Sequence, residues 1–111
     1  IGPAEDFPLA LCDMRTVQSN DLVQTDIHHF SESDPETPRH SGQIYSLRHN
    51  FSHKWHYFSA MEPDEVLLLR NWDSTGDKKS DYTPHTGFKN DLAPEGTRPR
   101  ESIEIRTLVV Y

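Results

Sequence analysis

Short stretches of apolar and aromatic residues alternate along this chain with stretches of Pro, Asp, Ser and Gly, and this alternation constrains the fold more than any other feature. Residues 22–28, 43–48 and 54–58 have the length and composition that are typical of strands. Only one or two helical turns are expected, because sustained helical periodicity is missing. The pattern therefore predicts a mainly β fold with little helix, of the sandwich, jelly-roll or barrel type.

Several strands can be assigned to defined ranges. A strand is expected within residues 7–17, where an apolar beginning leads into a polar turn. Residues 43–48 and 54–58 are separated by a short polar connection and predict a hairpin. Residues 66–72 predict a buried strand, with a helix as the alternative. The segment 100–111 alternates between an isoleucine-containing face and a polar face, which predicts a final strand.

Polar segments between these strands predict three loops, at residues 31–42, 73–81 and 89–99. We expect residues 1–111 to form a single partial domain. Because the chain begins at Ile1 within a loop-like stretch and ends on a strand pattern, we expect it to be a fragment of a longer protein.

The core of such a domain is expected to be thin, because hydrophobic residues make up only 33% of the chain. The single cysteine, Cys12, lies among Leu9, Ala10 and Leu11 and is expected to be a buried small hydrophobe rather than a reactive thiol. One cysteine forms no internal disulfide and lacks the thiolate set of a usual structural zinc site.

Charge and hydropathy exclude several classes of function. The formal net charge of −7 disfavours non-specific nucleic-acid binding, which depends on neutralising phosphates. No apolar run is long enough to span a membrane, so no membrane partner is expected. No signal-peptide pattern is visible, and a cytoplasmic location is expected.

The most informative stretch contains His85 and Arg100, which is fifteen positions further on (100 − 85) at the start of the expected last strand. Imidazole is a ligand for Fe(II), and the guanidinium fork binds a carboxylate in a bidentate manner. On neighbouring strands, both groups can point into one cavity. The alternative is that His85 is a loop residue and that the polar face beginning at Arg100 is exposed to solvent. Spacing by itself leaves both interpretations open.

The other histidines give weaker signals. His49, His53 and His56 are a possible transition-metal patch, but decoration of the predicted hairpin is favoured, because residues 53 and 56 point to opposite faces of a strand. His28 and His29 are adjacent, so their side chains diverge.

Two further groups have more than one interpretation. Trp55, Tyr57 and Trp72 are expected to pack in the core rather than to form a substrate platform. The pair Asp73-Ser74 either faces a cavity in a complete enzyme or opens a turn. No catalytic triad, phosphate loop or dinucleotide motif is present.

Ten stretches of the sequence resemble the AsaB/CmcJ-type hydroxylase/desaturase family of secondary metabolism. They occur in order over nearly the whole chain and are Pro8–Asp13, Arg15–Val17, Tyr45–Leu47, His53–Phe58, Met61–Glu65, Leu68–Leu69, Asp73–Ser74, Pro84–Phe88, Ala93–Pro94 and Pro99–Arg106.

The resemblance implies an Fe(II)/2-oxoglutarate-dependent oxygenase with a double-stranded β-helix (jelly-roll) core, acting on a small-molecule substrate. It implies that His85 is the distal iron ligand and that Arg100 binds the carboxylate of the 2-oxoacid. Arg106 is a second candidate for that carboxylate. The chain is then a C-terminal partial catalytic domain.

Two departures from the family pattern affect this expectation. Gly87 stands where the family usually has alanine, which is expected to loosen a turn. The iron site of such enzymes also needs a His-x-Asp/Glu pair, and none of the seven histidines has Asp or Glu two positions further on. The chain therefore supplies at most one of three iron ligands, and we expect it to be inactive alone.

The second hypothesis is a non-catalytic β-domain that binds a protein partner through exposed strand edges and the loops at 31–42 and 73–81. Unpaired strand edges also predict self-association.

Overall fold

A computed structural model describes residues 2–75 and 82–110. Within these residues there are five strands and two short 3-10 helices. The mainly β fold with little helix is confirmed, and the antiparallel sheets are consistent with part of a jelly roll. The strands are β1 (Leu9–Cys12), β2 (Leu22–His29), β3 (His40–Leu47), β4 (Trp55–Tyr57) and β5 (His85–Gly87), and the 3-10 helices are Met14–Thr16 and Ser19–Asp21.

A three-stranded antiparallel sheet has the strand order β4-β1-β5. Leu11 in the central strand lies opposite both His56 and His85, and Ala10 lies opposite both Tyr57 and Thr86. Side chains that face each other in register share a face of the sheet, and consecutive residues alternate between faces. One face therefore carries Leu11 and two histidines, and the other carries Ala10 with aromatic and small side chains.

The second sheet is a long hairpin of β2 and β3, paired from Leu22 opposite Leu47 to His29 opposite His40. One face of the hairpin carries a ladder of polar side chains. The Gln24 amide donates to the Gln43 carbonyl oxygen at 2.6 Å, and the Gln43 amide donates to Asp26 at 3.1 Å. The strand expected at residues 22–28 is confirmed.

The hairpin predicted between residues 43–48 and 54–58 is wrong. Residues 40–47 pair with β2, and residues 55–57 pair with β1. The physical reason is the length of the strand available for pairing. β2 offers β3 an eight-residue ladder, whereas only three residues of the 54–58 run form a strand.

The strand expected within residues 7–17 is limited to Leu9–Cys12, because Asp13 ends it. The Asp13 carboxylate accepts the backbone N–H of Arg15 at 3.0 Å, and its carbonyl accepts the N–H of Thr16 at 2.9 Å. These bonds start a 3-10 turn instead of continuing the strand.

The strands predicted at residues 66–72 and 100–111 do not form within the described residues, and the alternative helix at 66–72 does not form either. Leu68 is 94% exposed and Ile103 is 91% exposed. An alternating segment becomes a strand only where a neighbouring strand supplies hydrogen-bonding partners. No strand among residues 2–75 and 82–110 lies beside these two segments.

The core is thin, as the composition indicated. Buried residues within the described chain are concentrated around β1, where Pro8, Ala10 and Cys12 are enclosed. Burial raises the pKa of the Cys12 thiol, so the prediction of a buried, unreactive cysteine agrees with the structure. The core placement predicted for Trp55, Tyr57 and Trp72 is wrong, because all three are exposed and the described residues include no second layer that covers their faces.

Asp21 is the buried polar residue that organises the approach to β4. Its carboxylate accepts the Gln18 backbone N–H at 2.9 Å and lies 3.0 Å from Nε2 of His53. Asn50 donates to both carboxylate oxygens at 3.3 Å, and the Asp21 carbonyl accepts the Arg48 N–H at 2.8 Å. The backbone N–H of Gln18, followed by the hydrogen bond from His53, lowers the pKa of Asp21. One carboxylate therefore joins the second 3-10 helix to the segment that leads into β4.

Candidate active site

His85 is the first residue of β5, and its ring is oriented by a local hydrogen bond. Nδ1 lies 2.7 Å from the carbonyl oxygen of Thr83. Because a carbonyl oxygen only accepts, Nδ1 donates this bond, and Nε2 is the nitrogen left available as a metal ligand. The side chain is exposed, and the Pro84 carbonyl accepts the Cys12 N–H at 2.8 Å, which joins the start of β5 to β1. A metal-binding histidine is commonly oriented by this kind of bond from its second nitrogen.

Arg100 is held in position by the N-terminal segment of the chain. Its backbone N–H donates to the Asp6 carbonyl at 3.1 Å, and Pro99 forms a parallel bridge with Asp6. The Asp6 carboxylate in turn accepts the Asn90 N–H at 3.1 Å, and the Asn90 amide donates to the Glu5 carbonyl at 2.9 Å. Sequence analysis did not identify these residues, because the groups that contact each other are more than 80 positions apart in the chain and belong to no recognised motif.

The guanidinium of Arg100 lies over Gly87. Its Nη2 atom is 4.0 Å from the position that a Cβ on Gly87 would occupy. Gly87 is two residues after His85 in β5, so side chains at both positions point to the same face of the sheet. The Arg100 guanidinium therefore lies near the face of the sheet from which the His85 side chain projects, beside a position two residues further along β5.

Gly87 lies in a strand rather than in a turn, and its backbone is outside the left-handed region. The expectation that glycine loosens a turn at this position is wrong. An alanine methyl here would be 3.9 Å from the Phe7 carbonyl oxygen, which is an ordinary van der Waals contact.

Arg106, the second candidate for the carboxylate, lies in the unpaired segment 101–110. Its Nη2 is 3.7 Å from Glu104, and both side chains are largely exposed. Of the two arginines predicted to bind the 2-oxoacid carboxylate, Arg100 is the one that lies beside β5, the strand of His85.

His56 also lies on the His85 face, because both histidines are opposite Leu11. Asp13 directly follows β1, the strand that contains Leu11. Arg15 binds the Asp13 carboxylate through two nitrogens, and the shorter contact is 2.7 Å. These hydrogen bonds from Arg15 lower the pKa of Asp13 to about 2. Sequence periodicity assigned His56 to a strand face, but it gave no signal that this face adjoins His85.

The remaining predicted clusters do not assemble. His49 packs edge-on against Phe51 at a centroid distance of 4.7 Å, and the His53 side chain is buried against Asp21. The patch of three histidines is therefore not formed. Within the described chain, no group of three or more His, Cys, Asp or Glu side chains could hold a metal ion.

Asp73 opens a turn, which is one of the two interpretations considered for Asp73-Ser74. Its carboxylate accepts the Thr75 N–H at 2.8 Å and the Thr75 hydroxyl at 2.6 Å. Residues 76–81 of the predicted loop at 73–81 lie outside the described residues.

The opposite face of the three-stranded sheet carries an open apolar cavity of about 320 Å³. Tyr57 and Phe88 pack edge-to-face there at a centroid distance of 5.1 Å. The cavity is lined by Ala10, Trp55, Tyr57, Thr86 and Phe88. It has no titratable group apart from the Tyr57 phenol, so the chemistry-bearing face is the one with His85 and Arg100.

The sheet presents the imidazole of His85, oriented by the Thr83 carbonyl, and the Arg100 guanidinium lies beside Gly87 in the same strand. The chain belongs to the family described as "YDMC: Oxidoreductase/YMDC permease-like domain", whose model matches residues 1–110. In the part of the chain that the structure describes, no helix is long and apolar enough to cross a membrane.

Curated relatives confirm the similarity to hydroxylase/desaturases. The chain is 34% identical over 109 residues to the Fe(II)/2-oxoglutarate-dependent dioxygenase nvfI of Aspergillus novofumigatus, covering 98% of this chain and 37% of that protein. It is 36% identical over 115 residues to the hydroxylase/desaturase efuI of Hormonema carpetanum, covering 94% and 36%. It is 31% identical over 118 residues to the hydroxylase/desaturase asaB of Aspergillus flavus, covering 100% and 52%. The chain thus spans from about a third to about half of the length of these relatives.

Proposed function

We propose that this chain is part of the catalytic domain of a non-haem Fe(II)/2-oxoglutarate-dependent oxygenase that hydroxylates or desaturates a small metabolite. The observation that carries the proposal is the common face of the His85 ring and the Arg100 guanidinium, with Nη2 of Arg100 4.0 Å from the Cβ position of Gly87. The names of the relatives support the same chemistry, and they favour it over a non-catalytic β-domain that binds a protein partner.

His85 would hold the iron through Nε2. The Thr83 carbonyl supports this role, because it fixes the proton on Nδ1 and limits ring rotation. When bound, Fe(II) with 2-oxoglutarate and dioxygen supplies the oxidising power for hydroxylation or desaturation.

Arg100 would bind the distal carboxylate of 2-oxoglutarate. Arg100 is half-buried, and its guanidinium lies beside Gly87, two residues along β5 from His85, which suits a cosubstrate that reaches from the metal to a fixed cation. A bidentate pair of this kind is stronger than a neutral hydrogen bond and also fixes the orientation of the carboxylate. Arg106 is the second candidate for this role.

The metal site would need ligands from beyond these residues. His85 is one ligand, and no histidine in the sequence is followed two positions later by Asp or Glu. We infer that the remaining ligands belong to another part of the enzyme and that the chain alone binds Fe(II) weakly and does not turn over.

The test uses the full-length enzyme and measures iron content and 2-oxoglutarate consumption. His85→Ala is expected to lower the iron content and abolish iron-dependent consumption. Arg100→Ala is expected to retain iron and to raise KM for 2-oxoglutarate roughly ten- to a hundredfold, the effect of losing about 1.5–3 kcal/mol of charged hydrogen bonding.

His49→Ala is the matched control, because His49 is an exposed imidazole that contacts Phe51 away from the proposed site. Unchanged consumption in His85→Ala would remove His85 from the metal site. A normal KM in Arg100→Ala together with a raised KM in Arg106→Ala would transfer the carboxylate role to Arg106.

A further inference from the structure

The hairpin of β2 and β3 ends in a pair of histidines that face each other across the two strands. His29 is opposite His40 in the register, and their ring centroids are 6.0 Å apart with an angle of 32° between the ring planes. Both side chains are exposed. Directly opposed residues of an antiparallel pair lie on the same face, so both rings project from one side of the hairpin.

We propose that His29 and His40 form a surface site for a single divalent transition-metal ion, separate from the site at His85. Imidazole nitrogen is a good ligand for Cu(II), Ni(II) and Zn(II). Metal–nitrogen bonds of about 2.0–2.1 Å bring the centroids of two imidazoles on one ion to roughly 5–6.5 Å from each other. The observed separation of 6.0 Å falls in this range, so the strand register already places the two rings at a distance that one ion can bridge.

Neither imidazole forms a hydrogen bond with another polar group among the described residues, whereas those of His28 and His53 do. Nδ1 of His28 lies 2.9 Å from the Ser41 hydroxyl, and Nε2 of His53 lies 3.0 Å from Asp21. Nothing comparable holds His29 or His40, whose ring contact is with each other. Both rings can therefore turn their nitrogens toward a common ion.

Gly42 provides room for this rotation. A Cβ at Gly42 would lie 3.7 Å from Nε2 of His40 and 3.9 Å from a methyl of Ile27. The His40 ring thus extends over a position without a side chain. Because no group of three metal-ligating side chains occurs within the described residues, water would fill the other coordination positions. The site is then a two-ligand chelate that favours Cu(II), the ion at the top of the affinity order for nitrogen ligands.

A bound ion would link the two strands at the end of the hairpin next to its connecting loop, residues 30–39. Amides beside a surface loop open more readily than amides within a ladder, so an ion there should slow hydrogen exchange of the neighbouring amides.

The experiment is calorimetric titration of the full chain with Cu(II) and, separately, Zn(II) salts. Wild type is expected to bind one Cu(II) at this site, and either His29→Ala or His40→Ala is expected to weaken that binding at least tenfold. His28→Ala is the matched control, because residue 28 is adjacent but points to the other face. Circular dichroism of each variant checks that the fold is retained, as expected for exposed side chains.

His85→Ala separates this site from the proposed iron site and should leave the Cu(II) affinity unchanged. A loss in His85→Ala with full binding in both hairpin variants would overturn the inference. So would an equal loss in His28→Ala, which would indicate binding without the specific pair. Protection of the amides of residues 29 and 40 from exchange on adding Cu(II) is the second expected result, and its absence would contradict a cross-strand chelate.

Discussion

Replacing Gly87 with alanine is expected to stabilise the protein, and the expected size follows from the local geometry. Glycine in a strand costs about 0.5–1 kcal/mol relative to alanine, because it loses more backbone freedom on folding. The new methyl would meet the Phe7 carbonyl oxygen at 3.9 Å and Nη2 of Arg100 at 4.0 Å, both ordinary contacts. The Gly87 backbone is not left-handed, so alanine introduces no strain there. The folded-to-unfolded ratio should therefore rise roughly two- to fivefold.

The assay is urea unfolding of wild type and variant under the same conditions. With a slope near about 1.5 kcal/mol per molar urea, the midpoint should increase by about 0.3–0.7 M while the slope stays constant. Gly42→Ala is a matched control in β3, where the methyl would meet only side-chain atoms at 3.7 and 3.9 Å, and it should behave similarly. Gly96→Ala should do the opposite and cost roughly 1 kcal/mol or more, because Gly96 has a φ of +80°.

A lower midpoint for Gly87→Ala with an unchanged slope would refute the reasoning. It would mean that no space for a methyl exists between the Phe7 carbonyl and the Arg100 guanidinium.

Two further predictions concern carboxylates with shifted pKa values. The pKa of Asp21 is lowered in the folded state. The ionised carboxylate therefore stabilises the fold above the unfolded-state pKa, and this stabilisation is lost as the pH falls through the folded-state pKa. Asp21→Asn should flatten the pH dependence of the urea midpoint in that acidic range. Arg15→Gln should raise the pKa of Asp13 from about 2 toward its ordinary value of 3.8, measured by NMR titration of the side-chain carboxyl, and an unchanged pKa would show that Arg15 is not the cause.

Local sequence patterns determined much of the chemistry of this protein. The mainly β class followed from short strand-like runs, and the strand at 22–28 was correctly identified because its pattern is local. His85 and Arg100 were recognisable as candidates by residue type and by the resemblance of their surroundings to hydroxylase/desaturases. The missing His-x-Asp/Glu pair is likewise a property of the sequence alone.

Only the tertiary structure decided which strands are neighbours. Periodicity assigns residues to a strand face, but it does not choose the partner strand, because competing pairings satisfy the same alternation and differ in ladder length and loop closure. For this reason β3 pairs with β2 rather than with β4, His56 joins His85 across Leu11, and His29 meets His40. The buried contact of Asp21 with His53 has the same origin, since it joins two polar segments that carry no periodic signal.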